Sequence, residues 1–325
     1  MASINDVAKA AKVAKSTVSL VLNNSEHVSE ETRKRVEEAI RKLDYHPSQL
    51  ARNLSRKKTN LIGIVIPDAS HPFYGTFLKY AEEALYRRGY KTLLCETVER
   101  ENLEEEFISM LKRHTIDGII MGAHSLIHNG YNHLGKPVVA FDRKLAEDIP
   151  IVRADHEGGG RLAAAKLLEK GCKKVVQVSG SGLVNTPAHK YHVTFEEELR
   201  KNGVNVIDVE MPHNAFGETD FLRTAEKIFR EYQDFDAIFG ADMVIQACLR
   251  EARIRNIRVP EDCRMLAYDG TYITRMCGVP INSVVQPIGE LADACVAYID
   301  KIINGEEVDE FEKIIPVAYQ EGDTL

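Results

Sequence analysis

From Leu61 onward, short apolar runs alternate with longer stretches of helical period. LIGIVIP (61–67), KTLLCE (91–96), DGIIMG (117–122), PVVAFD (137–142) and IVRAD (151–155) read as strands. So do KKVVQVSG (173–180), VNVIDVEM (204–211), DAIFGAD (236–242) and CRMLAYD (263–269). Helical periodicity falls between them, over residues 73–88, about 102–113, about 158–170 and about 188–202. Most of the runs are apolar nearly throughout, which fits parallel strands covered on both faces. Repeated strand–helix units imply doubly wound open sheets, and the 265 residues from 61 to 325 suffice for two such lobes.

The first sixty residues follow a different pattern. Ser3 and Asp6 have the spacing of a capping box, and Val7, Ala8, Ala10 and Ala11 follow on a short helix. Lys12-Val13-Ala14 reads as a turn, followed by a second helix from Lys15 to Leu22 with Val18 and Val21 or Leu22 inward. Asn23-Asn24-Ser25 signals a loop, Ser29 can cap a third helix with Val36, Ile40 and Leu43 on one face, and Pro47 ends it. Residues 48–60 are polar and basic with Leu50, Ala51 and Leu54 on one side, too short for a stable isolated helix and suited to folding on binding. The expected domains are a head (1–46), a hinge helix or linker (47–60) and a body (61–325). The body divides into a first lobe of about 61–155 with 288–315 and a second of about 156–284.

Charge separates head from body. Net charge is −7, yet residues 1–60 hold 12 basic and 7 acidic groups, a net +5, and the remainder holds 30 and 42, a net −12. A basic head on an acidic body points to a polyanion at the head alone. Hydrophobic content of 44% and charged content of 28% are those of an ordinary globular protein. The six cysteines form no C-x-x-C pair and read as buried reduced thiols. There is no apolar signal core and no run long enough to span a bilayer, so a cytoplasmic protein with no membrane partner is expected.

Several strands end in small or polar residues: Pro67-Asp68, Asp142, Asp155, Ser179-Gly180, Asp242 and Asp269. In open α/β sheets this is the edge where ligands bind, although Asp also caps the helix that follows. His124, His128, His133, His189 and His192 have no metal-site spacing, and SGSG (179–182) lacks the G-K-[ST] of a phosphate loop. GGG (158–160) reads as close helix packing. No cofactor or metal is expected, and no Ser-His-Asp arrangement has supporting context.

Residues 4–22, INDVAKAAKVAKSTVSLVL, resemble the helix-turn-helix of the lac/galactose repressor family, and the YHPSQLARNL segment, DGIIMG, EGGGRLAAAKLLEKGCKKV, DAIFGADMVIQACL and SVVQP extend the resemblance along the chain. It implies an all-α helix-turn-helix head plus an α/β two-lobed periplasmic-binding-protein-like body with doubly wound parallel sheets. The implied function is a sequence-specific transcription repressor, not an enzyme: a homodimer on a palindromic operator, controlled by a small-molecule effector between the lobes. VVAFDR and PDASHPFYG resemble repressors of sugar-utilisation operons of sucrose or fructoside type.

By this resemblance Lys15 and Ser16 read bases, helped by Thr17 and Ser19, while Ser3, Asn5, Asn23 and Tyr45 contact phosphates and His27 a groove edge. Leu54 matches a minor-groove wedge, and Arg52, with Arg56, Lys57 and Lys58, supplies phosphate attraction. The chain departs from the family at Lys12, usually Gly, at Ala14, often a capping Ser, and at Leu20, usually Arg. Leu20 cannot make the bidentate guanine contact of an arginine but can pack on a thymine methyl, so the operator should differ from the common consensus there.

The effector positions implied are Phe73, Tyr74, His124, Asp142 with Arg143, Phe216 as a stacking platform, Asp242, and Asp269 accepting two hydroxyls. Tyr191 stands where the family often has Arg, which favours a neutral sugar. The tail EFEKIIPVAYQEGDTL has no leucine heptad for a tetramerising coiled coil. The rivals are a ligand-binding transport protein, which would call for an export signal and no basic head, and a sugar-modifying enzyme using Asp142 and Asp269, which would turn its sugar over.

Overall fold

The computed structural model describes residues 2–22, 25–46, 58–98, 103–123, 131–183, 186–308 and 310–325. It divides into two compact units, one up to residue 59 and one from residue 60 on.

The smaller unit is built from α1 (Ile4–Ala11), α2 (Lys15–Leu22) and α3 (Glu30–Lys42). The Ser3 hydroxyl accepts from the Asp6 amide at 3.3 Å and the Asp6 carboxylate takes the Ser3 amide at 2.8 Å, which satisfies two orphan donors of α1. α1 closes at Lys12, whose backbone is left-handed (φ +54°). Val7, Ala11, Val18, Val21, Val36 and Ala39 form a small core, with Leu22, Ile40, Leu43 and Tyr45 partly buried around it. α3 ends five residues before Pro47, because Leu43 caps it and Asp44 turns into the left-handed region.

The larger unit holds two six-stranded sheets. The first contains β1 (Leu61–Ile66), β2 (Lys91–Glu96), β3 (Gly118–Met121), β4 (Val138–Phe141), β5 (Ile151–Ala154) and β11 (Glu312–Ile315), in the order β11-β5-β4-β3-β1-β2 and parallel throughout. The second contains β6 (Lys174–Ser179), β7 (Asn205–Glu210), β8 (Ala237–Ala241), β9 (Arg264–Asp269), β10 (Ser283–Val285) and β12 (Ala318–Gln320). Its order is β12-β10-β9-β8-β6-β7, with β12 alone antiparallel.

Helices cover both faces of each sheet. In the first lobe α4 (Pro72–Arg87) and α11 (Ile288–Ile303) bury Phe77, Ala81, Leu85, Leu291, Cys295 and Tyr298 on one face, and α5 (Leu103–Lys112) buries Phe107, Ile108 and Leu111 on the other. In the second lobe α6 (His156–Glu169) and α7 (His189–Lys201) take one face, α8 (Glu218–Glu231) and α9 (Asp242–Ile254) the other, and α10 (Ile273–Met276) is a single turn. The central apolar runs are therefore strands shielded on both sides, while the edge strands β2 and β7 keep part of their length exposed. The chain passes between the sheets three times, near residue 155, at 286–287 and at 316–317. The last passage delivers β12 to the second lobe, a return the patterning of the tail did not announce. No described helix is long and apolar enough to cross a membrane.

Candidate functional site

Two regions bear the candidate residues. In the head, α2 presents Lys15, Ser16 and Leu20 exposed, with Ser19 half-buried beside them, at i, i+1, i+4 and i+5 of one helical face. Val18 and Val21 occupy the opposite face and are buried. Thr17 is half-buried between the two. Asn5 and His27 are exposed, while Tyr45 packs against the small core. Ser3 is exposed, but its hydroxyl also donates to Asp6 at 2.7 Å, so its groups are engaged in the cap. Asn23, Arg52 and Leu54 lie outside the described residues.

In the body, a cavity of about 190 Å³ opens between the lobes, at the C-terminal ends of both sheets. At roughly 10–15 Å³ of such space per water, it has room for about a dozen waters or a monosaccharide-sized molecule. From the first lobe come His71, Phe73, Tyr74 and Asp142. From the second come Ser179, Thr186, Tyr191, His192, Phe216 and Asp269, and Gln286 enters from a crossing segment. Phe216 projects from the loop after β7 onto the first lobe, where its ring meets Tyr74 edge-on at 5.9 Å and His71 at 5.8 Å.

Both lining carboxylates sit on left-handed backbone, Asp142 at φ +51° and Asp269 at φ +114°. Such conformations cost roughly 1–3 kcal/mol each and cluster where a site dictates the direction of a side chain. Asp142 Oδ1 lies 2.7 Å from His156 Nε2, and Gln286 Nε2 donates to Asp269 Oδ1 at 2.8 Å.

Burial sets the charge state of the walls. It pushes His71 down to about 4 and His192 to about 3, so both imidazoles are neutral near pH 7. Burial, then the neighbouring Asp242 and Asp142 carboxylates, pushes Asp269 well up toward its neutral acid form. Tyr74 and Tyr191 are raised by burial and stay phenolic. The described lining carries no Lys or Arg. His71 Nδ1, His192 Nδ1 and Gln286 Oε1 are buried without a hydrogen-bond partner among the described residues, which leaves polar capacity in the walls.

Residues 3–48 match the lacI family of bacterial regulatory proteins, and residues 59–270 match the periplasmic binding proteins and sugar binding domain of the LacI family. The chain belongs to the LacI family. It is a DNA-binding regulator of transcription with a helix-turn-helix head and a body of the family's sugar-binding type. The sucrose operon repressor of Streptococcus mutans is 32% identical, covering 100% of both chains. The ribose operon repressor of Halalkalibacterium halodurans is 33% identical over 97% of this chain and 95% of its own. A periplasmic binding protein/LacI transcriptional regulator from Alkaliphilus metalliredigens, complexed with D-xylulofuranose, is 26% identical with a TM-score of 0.73, covering 82% of this chain and 98% of its own.

Within this LacI-family body the cavity gathers Phe73, Tyr74, Asp142, Tyr191, Phe216 and Asp269 from the effector positions expected, and leaves two aside. Arg143 is fully buried away from the cavity, donating to Glu104 at 2.9 Å and to the Ala123 carbonyl at 2.7 Å. A buried guanidinium must be paired, and Glu104 supplies that pairing. Asp242, also buried, accepts from the Gly270 and Thr271 amides and the Thr271 hydroxyl and so braces the loop after β9. His124 lies outside the described residues. Asp155 caps α6 by accepting from the Gly158 amide at 2.8 Å, the ordinary use of a strand-terminal Asp.

Sequence reasoning missed His71, His156, Tyr268 and Gln286, and set His192 aside after finding no metal spacing. The described residues hold no His/Cys/Asp/Glu cluster arranged for a metal, yet His192 stands in the cavity wall. His71 had a readable signal, its place just before the Pro72 that opens α4 at a strand edge.

Proposed function

We propose that this LacI-family regulator is a repressor whose body binds a neutral sugar in the interlobe cavity and whose head binds a palindromic operator as a homodimer. The observation that carries the ligand class is the wall chemistry. Two carboxylates, phenol groups, neutral imidazoles and an aromatic ring line a cavity with no lining Lys or Arg among the described residues. Phosphorylated or carboxylated sugars call for a cationic partner, and a polyol calls for acceptors and a ring face. Phe73, Tyr74, Asp142, Tyr191, Phe216 and Asp269 are the effector contacts in this reading, and Lys15, Ser16 and their neighbours on α2 face the operator. The sucrose and ribose repressors among the relatives, and the D-xylulofuranose complex, support a small sugar without choosing between them. Catalysis has no part in the proposal, in keeping with relatives that are repressors, and the cytoplasm is where such a regulator would meet its operator.

Thermal-shift measurements with sucrose, D-ribose, D-fructose and their phosphates test the reading, followed by operator titration with and without the stabilising sugar. A neutral sugar should raise the melting temperature of the body and change operator affinity, and its phosphate should do neither. Stabilisation by the phosphate alone would refute the neutral-ligand assignment. Selecting operators with the wild type and with Leu20→Arg should return sites that differ at one symmetric base pair, with roughly 1–3 kcal/mol of discrimination at that position.

A further inference from the structure

The two cavity carboxylates share a feature that the ligand reading alone does not require. Each is gripped at Oδ1 by a side chain standing at a passage between the lobes: Asp142 by His156 at 2.7 Å and Asp269 by Gln286 at 2.8 Å. His156 is the first residue of α6, immediately after the crossing at residue 155, and Gln286 opens the crossing at 286–287. His156 is fully buried, and its other ring nitrogen lies 2.9 Å from the Tyr268 hydroxyl. One imidazole thus joins Asp142, at the end of a first-lobe strand, to Tyr268 on the central β9 of the second lobe. The Tyr268 ring in turn stacks on Tyr191, centroids 3.7 Å apart and planes 9° apart, and Tyr191 lines the cavity. A Cβ on Gly159 would fall 2.7 Å from the Tyr268 hydroxyl, so the glycine of α6 leaves the space through which that hydroxyl reaches His156.

We propose that His156 and Gln286 are the positioning residues that aim Asp142 and Asp269 at the ligand and tie their occupancy to the angle between the lobes. The inference rests on the cavity being the effector site. A carboxyl group has two oxygens, so holding Oδ1 leaves Oδ2 for ligand hydroxyls, whether the group is ionised or protonated, and fixes its direction in advance. The Asp142 carboxylate accepts, so Nε2 of His156 carries the proton and donates. A ligand that redirects either carboxylate loads the same bond that fastens a crossing segment. A coupling between cavity and hinge needs such a differential contact.

Hydrogen exchange on the ligand-free full chain tests the positioning role directly, comparing wild type with His156→Ala, His156→Gln, Tyr268→Phe and Gln286→Leu. His156→Ala should speed exchange at 141–143 and at 189–193, on opposite lobes, by roughly tenfold, and leave 205–210 unchanged. Tyr268→Phe, which unties the stacked pair from His156 but leaves the His156–Asp142 bond, should affect 189–193 only, and Gln286→Leu should affect 269–271. His156→Gln, which can donate and accept in the same directions, should restore 141–143. Titration with sucrose, D-ribose and D-fructose forms the second arm, in which whichever sugar binds the wild type should bind His156→Ala and Gln286→Leu roughly tenfold more weakly and His156→Gln nearly as well as wild type. Unchanged exchange, or acceleration spread evenly through the second lobe, overturns the proposal, and so does unchanged sugar affinity in both variants. A wild type that binds none of the sugars refutes the sugar reading instead, and the exchange arm still decides the positioning role. If His156→Ala does not fold, Tyr268→Phe and Gln286→Leu decide it.

Discussion

In the head, Lys15, Ser16 and Leu20 stand exposed on one face of a single eight-residue helix. In the body, the polar groups of the cavity span residues 71 to 286, and His71, Asp142, His192, Asp269 and Gln286 are each at most 9% exposed. The head keeps its chemistry outside its core, and the body builds its chemistry into the seam between two cores. Damage to the head's core should therefore spare ligand binding in the body, whereas within the body packing and binding should fail together.

The largest separation is expected from Val18→Asp. Val18 is fully buried in a core of a few small apolar side chains. A lone carboxylate there costs several kcal/mol, against a total of roughly 2–7 kcal/mol for a unit of this size. The head should unfold and operator binding should vanish in a gel-shift titration, while the sugar-dependent thermal shift of the body persists. Loss of both activities would mean that the units do not fold independently.

Gly160→Ala probes the opposite expectation within the body. A Cβ there would lie 2.5 Å from the Tyr191 carbonyl and 3.0 Å from the Phe195 amide, where α7 crosses α6. Backbone cannot yield as a side-chain tip does, so overpacking should cost about 1–3 kcal/mol and lower the melting temperature of the body by roughly 2–10 °C. Because Tyr191 lines the cavity, sugar affinity should fall in the same variant. Intact affinity with a lowered melting temperature would show that packing and binding are separable after all.

The contrast also explains what could be read in advance. Within the head, the candidate positions are neighbours in sequence: the helical period put Val18 and Val21 inward, the family resemblance singled out Lys15, Ser16 and Leu20, and the capping box of Ser3 and Asp6 was legible from four residues. The strands β1 to β9 were equally legible from their apolar runs, while the short β10, β11 and β12 were not, and the rule that ligands meet strand ends found Asp142, Ser179 and Asp269. The same rule could not tell a ligand carboxylate from Asp155, which caps a helix, or Asp242, which braces a loop, because each stands at the same strand edge and differs only in what folds against it. Arg143 looked available beside Asp142, but its partner Glu104 lies 39 positions away, on a different element. His156, Tyr268 and Gln286 become neighbours of the cavity only when two sheets meet, which no local period encodes.

His71 supplies a smaller test of how completely the cavity wall is sealed. Burial holds it neutral down to about 4 in the folded chain, whereas the unfolded chain takes up a proton below about 6.5. Its lowered value therefore means that stability is lost as the pH falls from about 6.5 toward 4. Between pH 7 and pH 5, wild type should lose up to about 2 kcal/mol more unfolding free energy than His71→Asn, measured by urea denaturation of the body at each pH. Asp269 and His192 titrate in both proteins, so their contributions cancel to first order in the difference. Parallel pH profiles would show that water reaches His71.

The smallest effect returns to the head, at the turn that closes α1. Lys12 closes α1 with φ +54° and ψ +46°, a conformation that costs a side-chain-bearing residue roughly 1–2 kcal/mol and glycine almost nothing. Lys12→Gly removes that strain but restores the backbone freedom of glycine to the unfolded chain, so the net gain should be at most about 1 kcal/mol. Lys12 is exposed, and the substitution takes nothing from the core. The head's own thermal transition should move upward while that of the body stays where it is. If instead operator affinity falls and its salt dependence flattens by about one phosphate contact, Lys12 is kept for its charge at the DNA surface, and the strain at the turn is offset by that contact.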